Sequence, residues 1–195
     1  MSKFLVVALL AAGVTSLSYG GDGSPWAGNE NGDPRPGHIL KVFDSKGKIV
    51  GVLTSAGSTE GVVLNVSGIF TFAAISRSAT ANLQFSASQY IWTDQGGLFT
   101  STDCSGSTVI EATNAPAPAI LRPSTVVRQG ATATLYIAPD APSANLTIQS
   151  AGLAGACTTY GVNSSVPPVY TTMAWSPVKT YSLTQNYSEP LTIHY

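Results

Sequence analysis

The stretch Val126-Val127-Arg128-Gln129-Gly130-Ala131-Thr132-Ala133-Thr134-Leu135-Tyr136-Ile137 decides the class of fold. Beyond Gly130, Ala131, Ala133, Leu135 and Ile137 fall on one side of an extended chain, and Thr132, Thr134 and Tyr136 fall on the other. A period of two with one apolar and one hydroxyl-bearing face is the pattern of an antiparallel strand that buries one side and wets the other. The glycine-bearing turn at 128–130, preceded by a short β-branched run, makes the unit a hairpin.

The same grammar extends in both directions. Residues 40–42 and 49–53 flank the turn Asp44-Ser45-Lys46-Gly47, and residues 62–66 and 69–73 flank Ser67-Gly68. A third hairpin is expected between Tyr90-Ile91-Trp92 and Leu98-Phe99-Thr100, about Asp94-Gln95-Gly96-Gly97. Residues 144–148 alternate Leu146 and Ile148 with Asn145 and Thr147, and the C-terminus sets Leu191, Ile193 and Tyr195 against Thr192 and His194. No capped amphipathic helix longer than about three turns is signalled after residue 39, and the most helix-like stretch, 76–88, has too few large apolar residues at helical spacing. The Pro-rich breaks at 115–118, 139–142 and 167–168 read as loops between strands. Residues 38–195 are therefore expected to form one all-β domain, an antiparallel β-sandwich or a small barrel-like structure.

The first twenty residues have a different character. Lys3 precedes an uninterrupted apolar or small run over 4–14, too short to span a bilayer, and Ser16, Ser18 and Gly20 supply the small residues that a signal peptidase reads. Residues 1–20 are expected to be a signal peptide and 21–37, rich in Gly, Pro, Asn and Asp, a flexible linker in which Trp26 is the one large apolar residue. Export makes the cysteines interpretable. Cys104 and Cys157 stand 53 positions apart with no CxxC and no neighbouring His, which fits one structural disulfide in an oxidising compartment better than a zinc or redox site. The chain is expected to act in the periplasm, at the cell surface or outside the cell.

Composition removes several functions. Charged residues make up 10% of the 195 and the net charge is −1, with no basic cluster, so the electrostatic footprint of a nucleic-acid-binding protein is missing. No later run is long and apolar enough for a membrane span. The only histidines, His38 and His194, sit at the linker's end and beside the chain terminus, poor places for a catalytic base, and GxSxG, HExxH and the phosphate-loop motifs are absent. Neither a metal nor a cofactor is expected. The four Glu (Glu30, Glu60, Glu111, Glu189) and six Asp fall mostly in turns, so a secreted hydrolase built on an acidic pair is the last alternative, and a non-enzymatic role comes first.

Aromatic residues are the remaining lead. Tyr90 and Trp92 are two apart and share one face of a strand, and Trp175 ends the run from Tyr170. Exposed, these rings would form an apolar platform with polar handles, suited to sugars or protein partners. Buried, they would fill the core. Asn65, Asn145, Asn163 and Asn186 each open an Asn-x-Ser/Thr triplet.

Two phrases, Val42-Phe43-Asp44-Ser45-Lys46-Gly47-Lys48-Ile49-Val50-Gly51 and Leu98-Phe99-Thr100-Ser101-Thr102-Asp103-Cys104-Ser105-Gly106, are similar to secreted bacterial β domains of uncharacterised role, some of which follow a collagen-like or linker segment. The resemblance spans roughly residues 39–160 and implies a bacterial surface component without assigning an activity. The functional expectation is a secreted, non-catalytic structural or interaction module, appendage- or adhesin-like. Its partners would be other copies, engaged through edge strands or the N-terminal arm, or a glycan or surface protein. A carbohydrate-binding module using Tyr90, Trp92 or Trp175 is the alternative.

Overall fold

A computed structural model of the chain describes residues 39–113 and 120–195. The expected signal peptide, the linker with Trp26, His38 and the Pro-rich break at 115–118 lie outside the described residues. The described residues fall in one compact unit. Its strands run β1 (Lys41–Phe43), β2 (Ile49–Ala56), β3 (Thr59–Val66), β4 (Ile69–Ala79), β5 (Phe85–Trp92), β6 (Gly97–Phe99), β7 (Ile110–Glu111) and β8 (Ser124–Gln129). They continue with β9 (Thr132–Ile137), β10 (Ala144–Ile148), β11 (Ser150–Leu153), β12 (Ala156–Thr159), β13 (Tyr170–Trp175) and β14 (Lys179–Ser182), then the single-turn helix α1 (Leu183–Asn186) and β15 (Thr192–His194). Among the described residues no helix is long and apolar enough to cross a membrane.

Six strands make one antiparallel sheet in the order β15-β1-β2-β3-β4-β5. It curls until its edges meet: Tyr90 N–H donates to the Leu191 carbonyl at 2.8 Å and Leu191 N–H returns a bond to Tyr90 at 2.7 Å. A nearly closed barrel removes most of the open edge that a flat sheet would expose. Its inward row includes Val42, Val62, Leu64, Ile75 and Trp92, and these share one buried cluster with Val126, Ala133, Leu135 and Ile137 from a second sheet, β14-β9-β8. That second sheet is seated on the barrel by Arg122 N–H on Phe70 O (2.9 Å) and Ser124 Oγ on Phe72 O (2.7 Å). Gly61 explains the close barrel wall at Phe72. A Cβ there would lie 2.5 Å from the Phe72 ring and 2.4 Å from the Ala73 carbonyl, so the ring covers bare backbone.

Two further antiparallel sheets, β10-β13-β7 and β12-β11-β6, build a smaller lobe around Val109, Ile148 and Ala174. The Cys104–Cys157 disulfide is closed (S–S 2.07 Å) and ties the loop after β6 to β12. Hydroxyls complete the tie: Ser150 Oγ accepts from Cys104 N–H (3.1 Å) and donates to Ser101 O (2.7 Å), and Thr159 Oγ1 donates to Thr102 O (2.6 Å).

Three of the four expected hairpins form, and the third does not. β5 pairs with β4 and β6 pairs with β11, so 90–92 and 98–100 never meet. The Asp94 carboxylate accepts not only from Gly96 N–H (3.1 Å) but also from Arg128 N–H (3.1 Å) and Ala154 N–H (2.9 Å). Gln95 exchanges two bonds with Val126, through its N–H (2.9 Å) and its Oε1 (2.7 Å). The supposed turn is thus a crossing point between barrel and smaller lobe, anchored to β8.

Candidate functional site

Of the two readings open for Tyr90 and Trp92, an exposed platform or core filling, burial selects the core and removes them as binding candidates. The two rings do share a face, but it is the inward face of β5: Tyr90 is 8% and Trp92 0% exposed. Trp92 packs near Tyr187 with ring centroids 6.2 Å apart, and the Arg77 guanidinium lies 5.2 Å from the Tyr90 ring centre. The barrel closes through Tyr90 itself, so these rings hold the fold together and present no surface to a ligand.

Trp175 is placed differently. Along β13, Tyr170, Thr172 and Ala174 are more buried than Thr171 and Met173, which are exposed. By strand alternation Trp175 joins Thr171 and Met173 on the outer face. Its ring is half-buried and oriented by the indole N–H, which donates to Ala141 O at 2.8 Å. That bond spends the polar edge and leaves the apolar face for contact. On the opposite, inward side of the same sheet, burial pushes the Tyr170 phenol up, and the Glu111 charge, Tyr160 and a hydrogen bond with Glu111 add to the shift.

Trp175 lines a groove of about 510 Å³ whose other walls include Pro123, Pro139, Pro142, Arg122 and Asp140. The prolines fix their backbone and remove N–H donors, giving stiff walls. The polar component is an ion pair, Arg122 Nη2 to Asp140 Oδ2 at 3.1 Å, whose acidic side chain is 93% exposed while Arg122 is held at 24% and also donates to Ala138 O (3.3 Å). A flat apolar ring with a carboxylate and a guanidinium at its margin can stack on an apolar ring face while accepting and donating hydrogen bonds to hydroxyls around it. Sequence reasoning found Trp175 and missed its neighbours. Residues 139–142 read only as a loop, and nothing local in the chain connects Arg122 to it, because the parallel bridge from Thr71 to Arg122 sets its position.

Among the described residues several other acids have structural partners. Asp44 is 4% exposed, and its carboxylate accepts from Lys46, Lys48 and Ser188 N–H at 2.9, 2.8 and 3.2 Å. Desolvation pushes that carboxyl up, but the backbone donors and the Lys46 charge outweigh it and hold the group below its ordinary value. Hydrogen bonds from the Ser105 side chain and N–H and from Ser101 likewise lower Asp103. Glu189 is paired with Arg128 and accepts from Trp92 N–H at 2.7 Å. Among the described residues no group of three or more His, Cys, Asp and Glu is arranged to hold a metal ion. Comparison with protein-family models, curated proteins and solved structures finds no match to this chain.

Proposed function

We propose that the chain is a non-catalytic interaction module working outside the cytosol, and that the Trp175 groove is where it captures a neutral, hydroxyl-rich ligand, a glycan. The observation that carries this reading is the oriented Trp175 ring between proline walls with Arg122 and Asp140 at its rim. Arg122 and Asp140 offset each other's charge, so the groove does not favour an ionic ligand, yet both can bond sugar hydroxyls. The closed disulfide is compatible with an oxidising compartment, and the apolar run at 4–14 supports export.

Screening the protein on a glycan array, followed by calorimetry on the best binder, tests the reading. Trp175→Ala is expected to weaken binding by about tenfold or more with little change in thermal midpoint, because it removes the stacking face from a partly exposed site. Trp175→Phe should keep part of the affinity. Absence of any bound glycan, or binding that survives Trp175→Ala, overturns the proposal.

A further inference from the structure

We propose that β10 is a self-association edge, across which two copies of this chain pair antiparallel about Leu146. In the sheet β10-β13-β7, β10 is an outer strand, and among the described residues no strand pairs with it on the side away from β13. The direction of its backbone follows from one bond. Ala112 N–H donates to Met173 O at 2.8 Å, so the Met173 backbone faces β7 rather than β10. In an antiparallel ladder, the residue opposite then turns its own N–H and C=O away from the shared interface. Met173 opposes Asn145 and Thr171 opposes Thr147, so Asn145 and Thr147 aim their backbone donors and acceptors outward.

Two other strands, β5 and β14, carry guards that β10 lacks. The pairing of β5 with β4 is broken by a bulge between Arg77 and Ala79, where the Arg77 guanidinium takes up the Ser86 and Ala87 carbonyls. β14 opens with Lys179. Bulges and edge lysines are the devices that keep sheet margins from pairing with other chains. The segment Ala144-Asn145-Leu146-Thr147-Ile148 contains no charge, no proline and no register shift.

The segment is also complementary to itself, which makes a second copy the occupant. Pairing about a two-fold axis at Leu146 sets Asn145 against Thr147 of the second copy, and the outward N–H and C=O groups of both meet as hydrogen-bonded pairs. Their exposed side chains, an amide and a hydroxyl, face each other on the outer side. On the inner side small Ala144 meets large Ile148, and Leu146 meets itself. A shift of one residue would abolish this match. The inference does not depend on what the Trp175 groove binds.

Sedimentation velocity on the purified protein over a wide concentration range tests it, with circular dichroism on each variant. Wild type is expected to shift reversibly from monomer to dimer. Asn145→Lys with Thr147→Lys sets like charges directly opposite across the axis and should weaken the dimer by roughly tenfold or more, whereas Asn145→Lys with Thr147→Glu sets opposite charges there and should restore it. Thr147→Pro removes an outward donor and leaves the ladder to β13 intact, so it too should yield monomer. Wild type that stays monomeric throughout overturns the proposal. So does a dimer indifferent to the lysine pair and to Thr147→Pro, or one that the Lys/Glu pair does not restore.

Discussion

Asp44 shows how one residue can be read correctly in kind and underestimated in reach. Its place at the head of a turn was legible because a short acceptor followed by a glycine is turn chemistry, and Gly47 adopts φ +78°. The bond to Ser188 was not legible, because it joins positions 144 apart in the chain. The consequence is a pH dependence with a fixed sign. The folded carboxyl lies below its ordinary value, so its contribution is complete above the unfolded value of about 4 and is lost as pH falls through the folded one. Denaturant midpoints measured from pH 7 down to pH 2 should therefore fall on the acid side. Asp44→Asn should flatten that fall and cost about 1–3 kcal/mol at neutral pH, since one amide oxygen replaces two carboxylate oxygens among three partly buried hydrogen bonds. An unchanged acid slope in the variant would assign the dependence to other groups.

At the scale of elements, what the sequence disclosed divides between local and long-range signals. The hairpins about 44–47, 67–68 and 128–130 were readable because turn chemistry and alternation act over a few residues, and Ala133, Leu135 and Ile137 are fully buried as their spacing requires. The hairpin about Asp94 failed because the carboxylate serves β8 and the 153–156 turn, partners that no short window contains. The Trp175 groove was half-legible for the same reason. The aromatic stood out, while its Arg122 partner arrives through a bridge to β4. Another long-range joint, between β8 and the segment before β15, is the pair Arg128 and Glu189, whose side chains are 16% and 18% exposed. Glu189 also accepts from Trp92 N–H, and Arg128 Nη2 donates to Trp92 O at 3.2 Å, so the pair ties two elements to a core strand. Removing one member strands the other away from water. Arg128→Ala or Glu189→Ala should each cost about 2–4 kcal/mol, with the double variant costing clearly less than the sum. Additive losses in denaturant unfolding would mean that the two act independently.

At the scale of the whole molecule, the two hydrophobic clusters are unequal. Among the described residues the barrel cluster has fifteen buried members and the cluster of the smaller lobe three, with Phe99 and Ile110 also buried in its strands, a smaller core behind strands of two to six residues. The smaller lobe carries the disulfide and the groove tryptophan, so the bond stabilises the part of the protein least able to hold itself. A separation of 53 residues corresponds to about 4 kcal/mol of loop-closure entropy withheld from the unfolded chain, as an upper figure. Where that loss appears follows from the architecture. Cys104→Ser with Cys157→Ser should raise amide hydrogen exchange first in β6, β11, β12 and the 100–105 loop, which the disulfide and the hydroxyls of Ser150 and Thr159 hold together. The β3 and β4 amides, paired over the longest ladder in the barrel, should keep most of their protection. Exchange that rises equally in both regions would show instead that barrel and lobe unfold as one unit, and the bond would then act on the global equilibrium rather than on the face that presents Trp175.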